Sequence, residues 1–109
     1  MAVRVGLVVR LVAKAGKEEE LAKFLASAAP LAAAEAFTPA WFALRTEPAV
    51  FYIVDAFAGE ADRDKHLSGE IAKALMARAD ELLAEPHQSN EPRFSARNFR
   101  AFLASTRTE

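Results

Sequence analysis

Thr38–Thr46 reads TPAWFALRT, Glu47-Pro48 follows, and Val50–Ala58 reads VFYIVDAFA. The first run puts Trp41, Ala43 and Arg45 on one face of an extended chain and Phe42 and Leu44 on the other. The second is rich in β-branched and aromatic residues, with apolar side chains on both faces, as in a strand covered on two sides. The residue before a proline avoids the helical region, so Glu47-Pro48 marks a turn. Two strands joined by so short a link predict an antiparallel hairpin.

On the N-terminal side, Val3–Ala13 (VRVGLVVRLVA) alternates, with Val3, Val5, Leu7, Val9 and Leu11 on one face and Arg4 and Arg10 on the other. That pattern predicts a further strand. Gly16 breaks it, and Lys17–Glu20 (KEEE) opens a helix, where acidic residues suit the positive end of the helix dipole. Leu21, Phe24, Leu25, Ala28 and Leu31 carry one apolar stripe. Pro30 is expected to kink or interrupt this helix, which then resumes and ends near Glu35.

On the C-terminal side, Gly59 begins a helical stretch with a break near Ser68-Gly69. Ile71, Leu75, Ala79 and Leu82 form its stripe, and Pro86 ends it. The order β-α-β-β-α is one strand short of the split βαβ, ferredoxin-like arrangement. The remainder, His87–Glu109, sets Arg93, Arg97, Arg100 and Arg107 against Glu91 and Glu109. Its Phe94, Phe99, Phe102 and Leu103 suit a fourth strand or a short helix equally well.

The 109 residues allow one α+β domain. Apolar residues make up 52% of the chain, more than so small a domain hides with ease, which points to a subunit interface or an apolar pocket. A net charge of −1 argues against a nucleic-acid or membrane-surface partner. With no cysteine there is no disulfide, thiolate metal site or cysteine nucleophile. The first residues lack the basic and apolar regions of a signal peptide, and no apolar run is long enough to span a bilayer. A soluble cytoplasmic protein is the expectation.

The blocks Gly6–Glu35, Trp41–Arg45 (WFALR), Phe51–Phe57 (FYIVDAF) and His66–Pro86 (HLSGEIAKALMARADELLAEP), in that order, resemble the antibiotic biosynthesis monooxygenase family across residues 3 to 86. The resemblance implies a dimeric α/β barrel, in which two four-stranded sheets pack face to face. It implies cofactor-free oxygenation of a small aromatic, of quinol or anthrone type; the spacing of His66 and His87, with no acidic or cysteine ligand cluster, argues against a metal site. The departures are specific. The family commonly has Glu-Pro-Gly where this chain has Glu35-Ala36-Phe37, and Glu at the position of Asp55. Where the family's last strand alternates apolar residues, His87–Pro92 is polar (HQSNEP), so either the fourth strand lies at about residues 93 to 103 or the C-terminal segment is not the family's.

His66 matches the histidine that the family carries in the helix after the third strand, and histidine can take and return a proton near neutral pH. The alternative is a helix histidine in a structural hydrogen bond. Asp55, a carboxylate in an apolar strand, would orient His66, pair with Arg45 across the hairpin or act as a base; the ion pair with Arg45 is the preferred expectation. Trp41, Arg45, Phe51 and Phe57 are the candidate substrate-binding residues, with plain core packing the competing reading for the aromatics. The Asn-Trp-His set of haem-degrading relatives has no counterpart here. Two further readings stay open: an isomerase acting on a small polar metabolite through His66, Asp55 and Arg45, and a non-catalytic binding domain of the same fold.

Overall fold

The computed structural model describes residues 3–93. Strand β1 (Val5–Val12) is followed by helix α1 (Glu18–Ala34), strands β2 (Ala40–Glu47) and β3 (Val50–Phe57), helices α2 (Glu60–Leu67) and α3 (Glu70–Leu82), and strand β4 (Gln88–Asn90). The sheet runs β2-β3-β1-β4 with every neighbouring pair antiparallel, the ferredoxin-like arrangement expected from the sequence.

Gly16 makes the tight turn from β1 into α1 at φ +85°, a conformation that costs glycine little and most residues more. Helix α1 then starts at Glu18, with Glu19 and Glu20 completing an acidic first turn. It runs unbroken past Pro30, contrary to the expected interruption. Pro30 is exposed, as is Leu31, expected on the apolar stripe; the buried stripe is Leu21, Phe24, Leu25, Ala28 and Ala32. Burying each large side chain of that stripe contributes roughly 1.5–3 kcal/mol, together enough to outweigh the lost bond and ring clash of one proline, about 3 kcal/mol.

The register fixes which side chains share a face. Leu7 lies opposite Asp55, Val9 opposite Ile53 and Leu11 opposite Phe51, and these residues are buried beneath the helices. In the neighbouring ladder Trp41 lies opposite Asp55 and Arg45 opposite Phe51. Among the described residues the other face carries no helix. On it Phe42 is 59% exposed and Leu44 48% exposed, beside half-buried Val8, Tyr52 and Val54.

The fourth strand does not lie where composition placed it. It forms at Gln88–Asn90, within the polar segment, pairing with Val8–Arg10 of β1. Ladder pairing is a backbone property, and an edge strand of three exposed residues needs no apolar alternation. A bridge between Val5 and Arg93, and a bond from the Gly6 amide to the Pro92 carbonyl, continue the pairing. Buried Arg63 of α2 adds a tie, donating to the Gly6 carbonyl and lying 3.7 Å from Glu91. Residues 94 to 103 of the anticipated strand lie outside the described residues.

Candidate functional site

Asp55 sits mid-strand in β3 on the helix-covered face, only 1% exposed. His66 lies in the last turn of α2, 4% exposed, where the short helix carries it back over β3. Its ring packs at 44° against fully buried Phe57, with centroids 5.4 Å apart. A second carboxylate closes the cluster from the far side. Glu35 follows the last turn of α1, and its Oε1 accepts from the His66 Nδ1 at 2.8 Å and from the Thr38 hydroxyl at 2.8 Å. Gly69, between α2 and α3, leaves room for this carboxylate: a Cβ there would meet Glu35 Oε2 at 3.4 Å and two backbone oxygens at 3.3 Å.

The imidazole therefore stands between two acids, with Nδ1 on Glu35 and Nε2 3.1 Å from Asp55 Oδ2. Burial pulls the His66 pKa down, but the carboxylates of Asp55 and Glu35 more than offset this and hold it above the ordinary value. Burial pushes the Asp55 carboxyl up, against the opposing pull of His66. Although Nε2 is close, it is not in line, and both Asp55 oxygens are buried without a hydrogen-bond partner among the described residues. Such a group costs folding free energy where it stands. The donors point at opposite sides of one ring rather than converging on a point, which suits a charge relay and not a metal ion.

Asp55 and His66 open onto a cavity of about 220 Å³ between the sheet and α3. Leu7, Val9, Ile53, Ile71, Leu75 and Met76 supply its apolar wall. His87 and Ser89, on and just before β4, also line it. The volume falls just below the roughly 300–1,000 Å³ of drug-sized ligand sites, so it suits one or two rings.

Of the six residues singled out in the sequence, the structure brings three together: Asp55, His66 and Phe57. The other three line a different groove, about 440 Å³ between α1 and β2, with Ala22, Leu25 and Ala26. There Arg45 is held by Glu19 at 2.7 Å and by the Pro48 carbonyl, its guanidinium 5.0 Å from the Phe51 ring centroid. The expected Asp55–Arg45 ion pair is thus replaced by Asp55–His66. Both residues do share a sheet face, but they lie four register pairs apart on different strands. Trp41 lies opposite Asp55 in the ladder, and its buried indole Nε1 has no partner among the described residues. Glu35, His87 and Ser89 were not singled out as site residues. For Glu35 the available signal was its place at the end of the first helix, in the segment where the family has Glu-Pro-Gly.

Fold and site together define an α+β protein with the fold of the antibiotic biosynthesis monooxygenases and a buried acid–histidine–acid cluster beside an apolar cavity. No protein-family model matches the chain, and no curated protein does. The solved structure of a protein of unknown function from Nitrosomonas europaea is 52% identical, with a TM-score of 0.84 over 86% of this chain and 91% of that one. The chain belongs to the family of that Nitrosomonas protein. Another Nitrosomonas europaea protein, provisionally named an antibiotic biosynthesis monooxygenase, matches at TM-score 0.78 and 15% identity, over 85% of this chain and 91% of its own. A Caulobacter crescentus protein given the same provisional name matches at TM-score 0.74 and 21% identity, over the same shares. These two share the fold. Among the described residues no helix is long and apolar enough to cross a membrane.

Proposed function

We propose that the protein is a cofactor-independent monooxygenase acting on a small aromatic of quinol type in the cavity beside Asp55. The observation that carries this reading is a buried carboxylate that lines an apolar cavity and stands 3.1 Å from the Nε2 of an imidazole whose Nδ1 is held by Glu35. An imidazole in that position has no free nitrogen to offer a substrate. Asp55, rather than His66, is then the general base, and burial strengthens it by raising its proton affinity.

Asp55 takes a hydroxyl proton from the ring, and the charged His66 beside it offsets the negative charge left on the substrate. The electron-rich ring anion reacts with molecular oxygen. One oxygen atom stays on the ring and the other leaves as water with the two hydrogens removed, so a dihydroxybenzene becomes a hydroxyquinone and oxygen receives all four electrons from the ring. Apolar walls keep bulk water from the anion.

The same reading makes the protein a homodimer, with the uncovered face that carries Phe42 and Leu44 turned toward the partner subunit. Oxygen uptake by metal-free, flavin-free protein with a panel of hydroquinones tests the activity. Uptake by the native protein that falls roughly 10²–10⁴-fold in Asp55→Asn is expected. Uptake unchanged in that variant, or none with any quinol, overturns the reading.

A further inference from the structure

The polar residues of the cavity come in two pairs. Asp55 and His66 form one, on β3 and α2, and His87 and Ser89 form the other, at β4. All the remaining lining residues are apolar. Strand β1 lies between the two pairs, because the sheet order is β3-β1-β4. Asp55 faces Leu7 across one ladder and Ser89 faces Val9 across the other, so both side chains rise from the same helix-covered face. Two strand spacings of ~4.8 Å and two residues of ~3.4 Å put their Cα atoms about 12 Å apart.

We infer that Ser89, with His87 beside it, is the specificity-determining end of the site, and that it selects rings bearing polar groups at opposite ends. This rests on the reading of the cavity as the substrate site. A six-membered ring with oxygens in the para positions, hydrogen-bonded at each end, has the length to join polar side chains whose Cα atoms lie about 12 Å apart. A ring with one oxygen satisfies only one end and leaves the other polar group facing an apolar edge. Asp55 is the end that moves the proton. Ser89, exposed at the cavity mouth, can donate and accept, and so it holds the second hydroxyl in both protonation states. The side chains of β4 do not make its ladder bonds, so replacing Ser89 leaves the pairing with β1 in place.

The test is anaerobic calorimetric titration with hydroquinone and with phenol, using the native protein, Ser89→Ala and Ser89→Thr. Hydroquinone is expected to bind the native protein more tightly than phenol. Ser89→Ala should weaken hydroquinone roughly three- to tenfold, the worth of one hydrogen bond, and leave phenol unchanged, while Ser89→Thr keeps the hydroxyl and the preference. Equal binding of the two rings by the native protein, equal loss of both in Ser89→Ala, or binding of neither would overturn the inference. Preference for hydroquinone without oxygen uptake would sink the oxygenase reading alone. Uptake without that preference would sink this inference alone.

Discussion

Replacing Glu35 by glutamine keeps an oxygen for the His66 Nδ1–H and the Thr38 hydroxyl but removes one of the two charges that flank the imidazole. The wild-type contact is 2.8 Å long and nearly buried, with side-chain exposures of 5% for His66 and 14% for Glu35. Hydrogen bonds to charged groups contribute about 1.5–3 kcal/mol against 0.5–1.5 kcal/mol for neutral ones, so the change costs roughly 1–2 kcal/mol while His66 is charged. For a domain of this size that is a fall in Tm of about 4–10 °C. The pH dependence has a definite sign. His66 has a folded pKa raised above its unfolded value, so its contribution is complete below about pH 6.5 and fades as pH rises through the folded pKa. Thermal melts of both proteins at one protomer concentration, at about pH 6 and again at about pH 9, should show a gap that is wide at the lower pH and narrow at the higher. A gap equal at both values, or wider at high pH, would refute the argument that Glu35 acts on a charged His66.

Other outcomes follow from the same geometry. Light scattering should give a dimer mass for the native protein, and Phe42→Glu with Leu44→Glu should give a monomer, because two charges would then replace the exposed apolar side chains of β2 on the uncovered face; a monomeric native protein would remove the interface. Gly16→Ala should cost about 1 kcal/mol or more in urea melts, since the turn needs φ +85°, and an unchanged midpoint would show that the turn relaxes. Phe57→Ala should cost about 3–5 kcal/mol, because the ring is fully buried against His66, and a loss below about 1 kcal/mol would mean the site collapses to fill the space.

Most of the fold was legible because apolar periodicity records burial. The alternation of Val5 to Leu11, the stripe from Leu21 to Ala28 and the break at Ser68-Gly69 each correspond to an observed element. β4 was not legible, since Gln88-Ser89-Asn90 pairs through its backbone and its exposed side chains carry no pattern. Pro30 misled for the reverse reason: a local rule was overridden by packing on the opposite side of the helix. At the site, Asp55 stood out as a carboxylate in an apolar strand, and His66 through its match to the histidine of the family the chain resembles. Glu35 did not, because its bond to His66 joins residues 31 apart, and nothing local to either one encodes it. The pairing of Arg45 with Glu19, 26 residues away, escaped in the same way and left Asp55 with the wrong expected partner.

The arrangement also changes which group is asked to do the chemistry. Alone, a histidine in an apolar cleft is the natural base, but in one held between two carboxylates the raised pKa favours the charged form. His66→Ala would leave Asp55 and Glu35 buried without a counter-charge, so loss of activity in that variant would not separate catalysis from folding. The protonation state separates them. ¹⁵N and ¹³C NMR of His66 at about pH 7 reads it directly. Our account predicts a ring with both nitrogens protonated, titrating only at higher pH. A neutral ring with one bare nitrogen at that pH would contradict it and return the role of base to His66.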